Sequence, residues 1–516
     1  MTSSIVRGKY VICKTIDRHQ VQMIDNGAVF QQDGRIVDID SYEAIAARYD
    51  ADVVIGSSHH VVLPGFVNSH HHVGLTPLQL GSLDFPLEQW FATRLVSRSV
   101  NPYLDTLYSA FEMIESGITA VQHIHTWRPG PASIWPGIAE QVLKAYQDIG
   151  MRVAYCFAMR DQNRLVYEPD EDFAARLPEP LASDIRHLFK AQTVPVQDYM
   201  EFFEYLWQKW DQGGSDRIHI QLAPANLHWC SDKALETVLA YSKKYSVGMH
   251  LHLLETAYQK EYAFRRSGKT AVKHLYDLGF LGEHLTLGHG VWLTEEDIEM
   301  VADSGTMVCH NASSNLRLQS GIAPLNEYAK RGVTVGIGLD EAGINDDRDM
   351  LQEMRLVLKL HRVPGIDAFV PTASQVFQMA TEHGAATTGF AKDIGTLDVG
   401  MAADMVLINW DEIAFPYLDD LIPVIEAVIH RSKTSAVDTV MVGGDVIYQN
   451  GKFTHVDKDA VLQELAALMK APLSPTELRM RKLSKEVEPY VKNFYEGWLD
   501  HSRCHPFYCQ NHRHSS

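Results

Sequence analysis

Pro64-Gly65-Phe66-Val67-Asn68-Ser69-His70-His71-His72-Val73-Gly74 is the stretch on which the reading of this chain turns. Before it, Val61-Val62-Leu63 has the apolar character of a short buried strand. Pro64 and Gly65 interrupt regular structure, and Phe66-Val67 resume an extended run that ends in three histidines. Side chains alternate faces along a strand, so His70 and His72 share one face and His71 takes the other. Two imidazoles on one face, two residues apart, can share a metal ion. The competing reading is a polar loop that happens to be His-rich, in a chain with 25 His among 516 residues.

Outward from this stretch the texture alternates between strand and helix. Apolar positions at helical spacing over 103–116 end at Gly117, and Ile118-Thr119-Ala120-Val121 starts a strand. Further strands are expected at 152–158, 218–222, 247–252, 285–289, 306–310 and 334–340, with helices near 197–210 and 232–244 among the segments between them. With the strand at 61–69 these make eight, and eight βα units imply a closed parallel (β/α)8 barrel of the α/β class. Residues 5–58 read as a small β unit with a hairpin turning at Asp33-Gly34, and a second hairpin turns at Gly443-Gly444-Asp445. The expected division is therefore 1–58 with 391–455 as one discontinuous accessory β-sandwich, 59–390 as the barrel, and 456–516 as a helical extension with a polar tail. Cys504, His505, Cys509, His512 and His514 in that tail match no zinc-knuckle spacing.

Hydrophobic content of 46% and charged content of 22% are ordinary for a globular enzyme. A net charge of −19 argues against nucleic acid or an anionic membrane as partner. No apolar run has the length of a membrane span, and the first residues lack the apolar core of a signal peptide. Six scattered cysteines fit a reducing cytoplasm rather than a disulfide scaffold. A small-molecule substrate and a homo-oligomer are expected.

Polar residues recur at the carboxyl ends of the expected strands: His70 and His72 on the first, His252 on the fifth, His289 on the sixth and Asp340 on the eighth. That rim of a βα barrel is where catalytic groups converge. Each residue alone has a structural explanation, as a satisfied core histidine or a helix-capping aspartate. Periodicity does not choose between His250 and His252, which share a face.

The chain from Pro64 to His72 is similar to the amidohydrolase superfamily, in its cytosine deaminase, guanine deaminase and triazine hydrolase (chlorohydrolase) branch. So are His252-Leu253-Leu254-Glu255-Thr256, Gly288-His289-Gly290-Val291, the run from His310 to Leu318, Gly338-Leu339-Asp340, and the run from Gly395 to Val406. The resemblance implies that His70, His72, His252 and Asp340 hold a metal and that His252 is preferred to His250. It implies that Glu255 shuttles protons, that Asp340 accepts a proton from the attacking water, and that His289 orients the water or polarises the substrate. The metal would bring the pKa of that water toward neutrality. Three imidazole ligands favour zinc, with iron or manganese as alternatives. No lysine ends the fourth strand, so the resemblance is to members holding one divalent ion per chain.

Departures from the branch pattern are Glu341 directly after Asp340, Ala312 in place of a common proline, and His123 with His125 on the second strand. Substrate contacts are expected from Gln79, Trp90, His310 and Asn315, with Phe85, Trp90, Phe91 and Trp127 available to sandwich a ring. The favoured reaction is displacement of an amino or related leaving group from a small nitrogen heterocycle. Hydrolysis of an acyclic amide, urea or carbamate is the alternative, and a scaffold without catalysis is a third reading, which the intact ligand set disfavours.

Overall fold

The computed structural model describes residues 3–125, 131–212, 216–500 and 507–508. Trp127 and the Cys/His residues of the tail lie outside the described residues.

The run around Pro64-Gly65 is two strands. Val53–Pro64 belongs to one sheet and Phe66–His71 to another. Gly65 allows the change, because a Cβ there would sit 2.2 Å from Thr119 Oγ1. The 61–69 expectation merged these two pieces, since both are apolar and only one residue separates them.

Parallel strands follow in chain order at Ile118–His125, Arg152–Met159, Ile218–Ile220 with Ala223–Pro224, Met249–Leu253, Leu285–His289, Met307–His310 and Val335–Ile337. Together with Phe66–His71 they form a five-stranded and a four-stranded sheet. The fourth position is broken in two. Isolated parallel bridges join the two sheets at both seams, Leu222 with Met249 and Asn226 with His252 at one, and His71 with Asp340 at the other. The parallel sheet is therefore curled, with its edges in contact. Helices pack outside it. One of them, Pro102–Glu115, is capped by Asn101, whose side chain accepts the N–H groups of Tyr103 and Leu104.

The two ends of the chain meet in a nine-stranded sheet. Its hairpins turn at Asp33-Gly34 and Gly443-Gly444, all four residues with positive φ, as tight two-residue turns require. Met405–Asn409 runs antiparallel to Val53–Pro64, which joins residues 341 positions apart as Met405 faces Pro64. Val6, Val29, Val62, Met405 and Leu407 share a buried apolar cluster beside this sheet. A fully buried Arg152 ties sheet to sheet. It gives Nε and Nη2 hydrogen bonds to the two oxygens of Asp404 at 2.8 and 2.9 Å.

The last long helix, Pro475–Phe494, is opened by Ser474 and Glu477 in a reciprocal cap. Its buried residues Leu483, Val487 and Val491 pack in a separate apolar cluster with Ala92, Tyr167 and Ile185. No helix among the described residues is long and apolar enough to cross a membrane.

Candidate metal and catalytic site

His70, His72, His252, Asp340, His289 and Glu255 come together at the carboxyl ends of the parallel strands. His72 Nε2 lies 3.0 Å from His70 Nε2 and 3.1 Å from His252 Nε2. Asp340 Oδ1 lies 3.3 and 3.5 Å from the same nitrogens of His72 and His70. His289 Nε2 is 3.6 Å from Glu255 Oε2 and 3.8 Å from Asp340 Oδ2.

The protons on two of these rings are fixed by what they face. A carbonyl oxygen only accepts, so His72 Nδ1 donates to Ile124 O and His252 Nδ1 donates to Ala225 O, each at 2.7 Å. In the neutral rings both Nε2 atoms then carry lone pairs, and they point at each other across 3.1 Å. That repulsion is relieved by a cation between them. A zinc ion with nitrogen ligands at about 2.0–2.1 Å needs such a cluster. Electrostatics point the same way. Burial pushes His70 down to about 3, and burial, followed by the neighbouring His70, His72 and His289, pushes His252 well below the usual imidazole range. Burial alone would raise Asp340. Contact with His70 and the charges of His70, His72 and His289 outweigh it and hold the carboxyl well below its usual range. An ionised carboxylate among imidazole nitrogens whose lone pairs face one another suits a cation held between them. The donor set fits a divalent ion.

Backbone geometry fixes the constellation. Asn68 Oδ1 accepts the N–H of His70 at 3.2 Å and of Leu339 at 3.0 Å, joining first and last strands. A Cβ on Gly338 would lie 2.5 Å from His70 Cβ. His289 and Asp340 both hold positive φ, at 71° and 53°. Such strain in non-glycine residues costs on the order of 1–3 kcal/mol and collects at functional sites.

Glu255 is 3% exposed. Burial, followed by the charges of Asp340 and Glu88, raises its carboxyl well above the usual range, which favours the protonated form. Ser320 Oγ donates to its Oε1 at 3.4 Å. His289 Nδ1 faces Asn315 Oδ1 at 2.9 Å, and burial pushes this ring down.

The four expected substrate contacts fall differently. Asn315 stands behind His289. His310 is fully buried, with Nε2 2.8 Å from His361 Nε2. Trp90 is buried among Leu87 and Leu318, with the Arg94 guanidinium over its ring. Gln79 is exposed, its side chain bonded to Thr76 N at 2.8 Å and Tyr108 Oη at 3.0 Å. Of the departures, Glu341 pairs with Arg94, and His123 Nδ1 meets the Tyr146 hydroxyl at 2.8 Å.

Residues without an expected role also enter the site. His250 Nε2 lies 2.8 Å from His70 Nδ1 and so sets the ring of His70. Ser314 Oγ donates to Asp340 Oδ2 at 2.6 Å. Ser314 stood inside the quoted run from His310 to Leu318, and His250 on the expected strand beside His252. Their signal was a polar side chain in an otherwise buried run.

A cluster of imidazoles and one carboxylate with a buried glutamate beside it is a donor set of the kind a metal-dependent hydrolase uses. Residues 61–447 match the amidohydrolase family, and the chain belongs to it. Among its relatives, a 5'-deoxyadenosine deaminase of Methanosarcina barkeri is 30% identical over 475 residues, 90% of this chain and 97% of the relative. A 5-methylthioadenosine/S-adenosylhomocysteine deaminase of Thermodesulfovibrio yellowstonii is 27% identical over 469 residues, 89% of this chain and 96% of the relative. Among solved structures, an adenosine deaminase from Xanthomonas campestris with bound zinc superposes with a TM-score of 0.77 at 22% identity, covering 93% of this chain and 99% of that one. A zinc complex of atrazine chlorohydrolase from Arthrobacter aurescens gives 0.77 at 21%, covering 90% and 100%.

Proposed function

We propose that this enzyme, a metal-dependent hydrolase of carbon–nitrogen bonds other than peptide bonds, removes the amino group from the adenine ring of a nucleoside whose 5' position carries no charge. The convergence of Glu255, His289 and Asp340 on one point beside the three imidazoles carries the reading. The relatives named as 5'-deoxyadenosine deaminase and 5-methylthioadenosine/S-adenosylhomocysteine deaminase support the choice of ring. Arg317 is committed to Asp84 and Asp346, which favours an uncharged substrate.

His70, His72, His252 and Asp340 would hold one zinc ion. Bound there, it would supply a water with a pKa near neutrality. Asp340, ionised, accepts a proton from the attacking water. His289, its Nδ1 proton directed to Asn315, offers Nε2 to that water and orients it. Glu255 gives its proton to the ring nitrogen as the oxygen joins the ring carbon. The proton on Asp340 then passes to the departing amine, the carbon–nitrogen bond breaks to release ammonia, and the added hydroxyl returns its proton to Glu255 as its oxygen becomes the ring carbonyl.

The proposed frame is a closed (β/α)8 barrel over 59–390, an accessory sandwich from 1–58 and 391–455, and a helical extension from 456. The protein is proposed to act in the cytoplasm as a homo-oligomer. The test is ammonia release from adenosine, 5'-deoxyadenosine and 5'-methylthioadenosine against guanine, aminated triazines, aryl amides and ureas. Adenine nucleosides should be turned over best, and activity confined to acyclic amides or ureas would overturn the reading.

A further inference from the structure

One buried carboxylate has no part in these steps. Glu88, on the helix Leu87–Thr93 after the first parallel strand, is 3% exposed. Its Oε1 accepts the hydroxyl of Tyr167 at 2.7 Å and that of Thr256. Its Oε2 has no partner among the described residues. A carboxylate buried without a cation is costly to keep.

The bonds leaving Glu88 lead to the proton shuttle. Thr256 has one hydroxyl proton, and it goes to Glu88. The lone pairs of that oxygen are thereby turned to the N–H of Gln259, at 3.2 Å, which caps the helix Ala257–Ser267. Gln259 in turn folds back so that its Oε1 accepts the N–H of Glu255 at 2.9 Å. The main chain of Glu255 is thus fixed by a string of hydrogen bonds that starts at Glu88. Without Glu88 the hydroxyl of Thr256 is free to rotate, and the string loses its fixed end.

The helix carrying Glu88 is itself clamped from the far end of the chain. Glu488 accepts from Gln89 Nε2 at 2.5 Å, and Ser484 donates to the carbonyl of Ala92 at 2.8 Å. Tyr495 packs edge-on against Tyr167, the second donor to Glu88. These residues lie beyond 447, where the family match stops.

We propose that Glu88 is a positioning residue for Glu255, acting through Thr256 and Gln259, and that the helix Pro475–Phe494 holds it in place. This rests on the reading of Glu255 as the shuttle. Glu88→Ala and Thr256→Val should lower kcat about ten- to a hundredfold, the scale of a small misplacement of a catalytic group, with KM within about twofold. Thr256→Ser, which keeps the hydroxyl, should recover most of that loss. In a Glu255→Gln background, Glu88→Ala should cost nothing further, because its effect runs through a group already removed.

Glu88→Gln, nearly the same shape, is run in parallel for the case where alanine impairs folding. It weakens charge-assisted bonds and should lower kcat in the wild-type background alone. Zinc content is measured for every variant. A loss that adds fully to that of Glu255→Gln, or unchanged kcat in Glu88→Ala and Thr256→Val, overturns the proposal. The substrate panel is run first on the unaltered protein. Its failure would overturn the choice of substrate, and the cycle would then use whichever carbon–nitrogen substrate is hydrolysed.

Discussion

Asp340 donates its backbone N–H to the carbonyl oxygen of His70 at 2.8 Å. Two residues proposed to hold one ion are therefore joined through the main chain as well, and the carbonyl of Asp340 lies 3.3 Å from His71 Nδ1. The seam between the first and last parallel strands is made of the same residues as the site.

Stability should accordingly follow metal. Purified protein should contain one zinc per chain. Chelation should abolish turnover and lower Tm, and zinc should restore both. A ligand present at a thousandfold its Kd adds about 4 kcal/mol to stability. Elemental analysis giving two ions per chain would end the single-ion proposal.

Glu255→Gln should keep the zinc and the Tm and lose about 10²–10⁴-fold in kcat, the usual share of acid–base catalysis. Near wild-type turnover would reduce Glu255 to a packing role.

Glu353 gives a stability effect with a defined sign. It is 1% exposed, accepts the N–H of Ser313 at 2.9 Å, and burial raises its carboxyl to about 7. The folded state therefore binds this proton more tightly than the unfolded chain. The resulting stability is full below the unfolded pKa near 4.5 and is lost as pH rises through about 7. Glu353→Gln should raise Tm at pH 8 and change it little at pH 4. The difference is about 3 kcal/mol at most. Urea titrations at the two pH values measure it, and equal effects at both would refute the assignment.

Asp404→Ala should destabilise the protein by about 3–5 kcal/mol, because Arg152 would be left buried and unpaired. Loss of the bond from Gly443 N to Asp404 Oδ1, at 2.8 Å, adds to this. The check is a denaturant midpoint.

Removing residues 1–55 should leave the protein insoluble. Four strands of the nine-stranded sheet would go, exposing the edge of Val53–Pro64. Soluble, active protein after this truncation would contradict the proposed accessory domain.

Much of the fold was legible because its signals are local. The hairpins at Asp33-Gly34 and Gly443-Gly444 follow from turn chemistry. The parallel strands follow from short apolar runs, and the shared face of His70 and His72 from a period of two. The partners of Glu88 were not legible. They come from two distant segments, around Tyr167 and Thr256, and no spacing encodes that meeting. Gln79 raises a related point. A loop residue near the first strand end can face the site or its own turn, and here its side chain bonds Thr76 N. His250 and His252 share a face in sequence. Only ring contacts separate them, His252 facing His72 and His250 standing behind His70.

The pairing of Met405 with Pro64 sets a schedule for synthesis. Strand Val53–Pro64 leaves the ribosome before its neighbour Met405–Asn409, and Met405 is made 341 residues after the Pro64 it faces. At about 5–20 residues per second, that edge stays open for about 17–70 s. The nascent chain must be shielded over this interval, and slow codons between residues 64 and 405 would lengthen the exposure. Yield in cells should therefore respond to translation speed between these two strands.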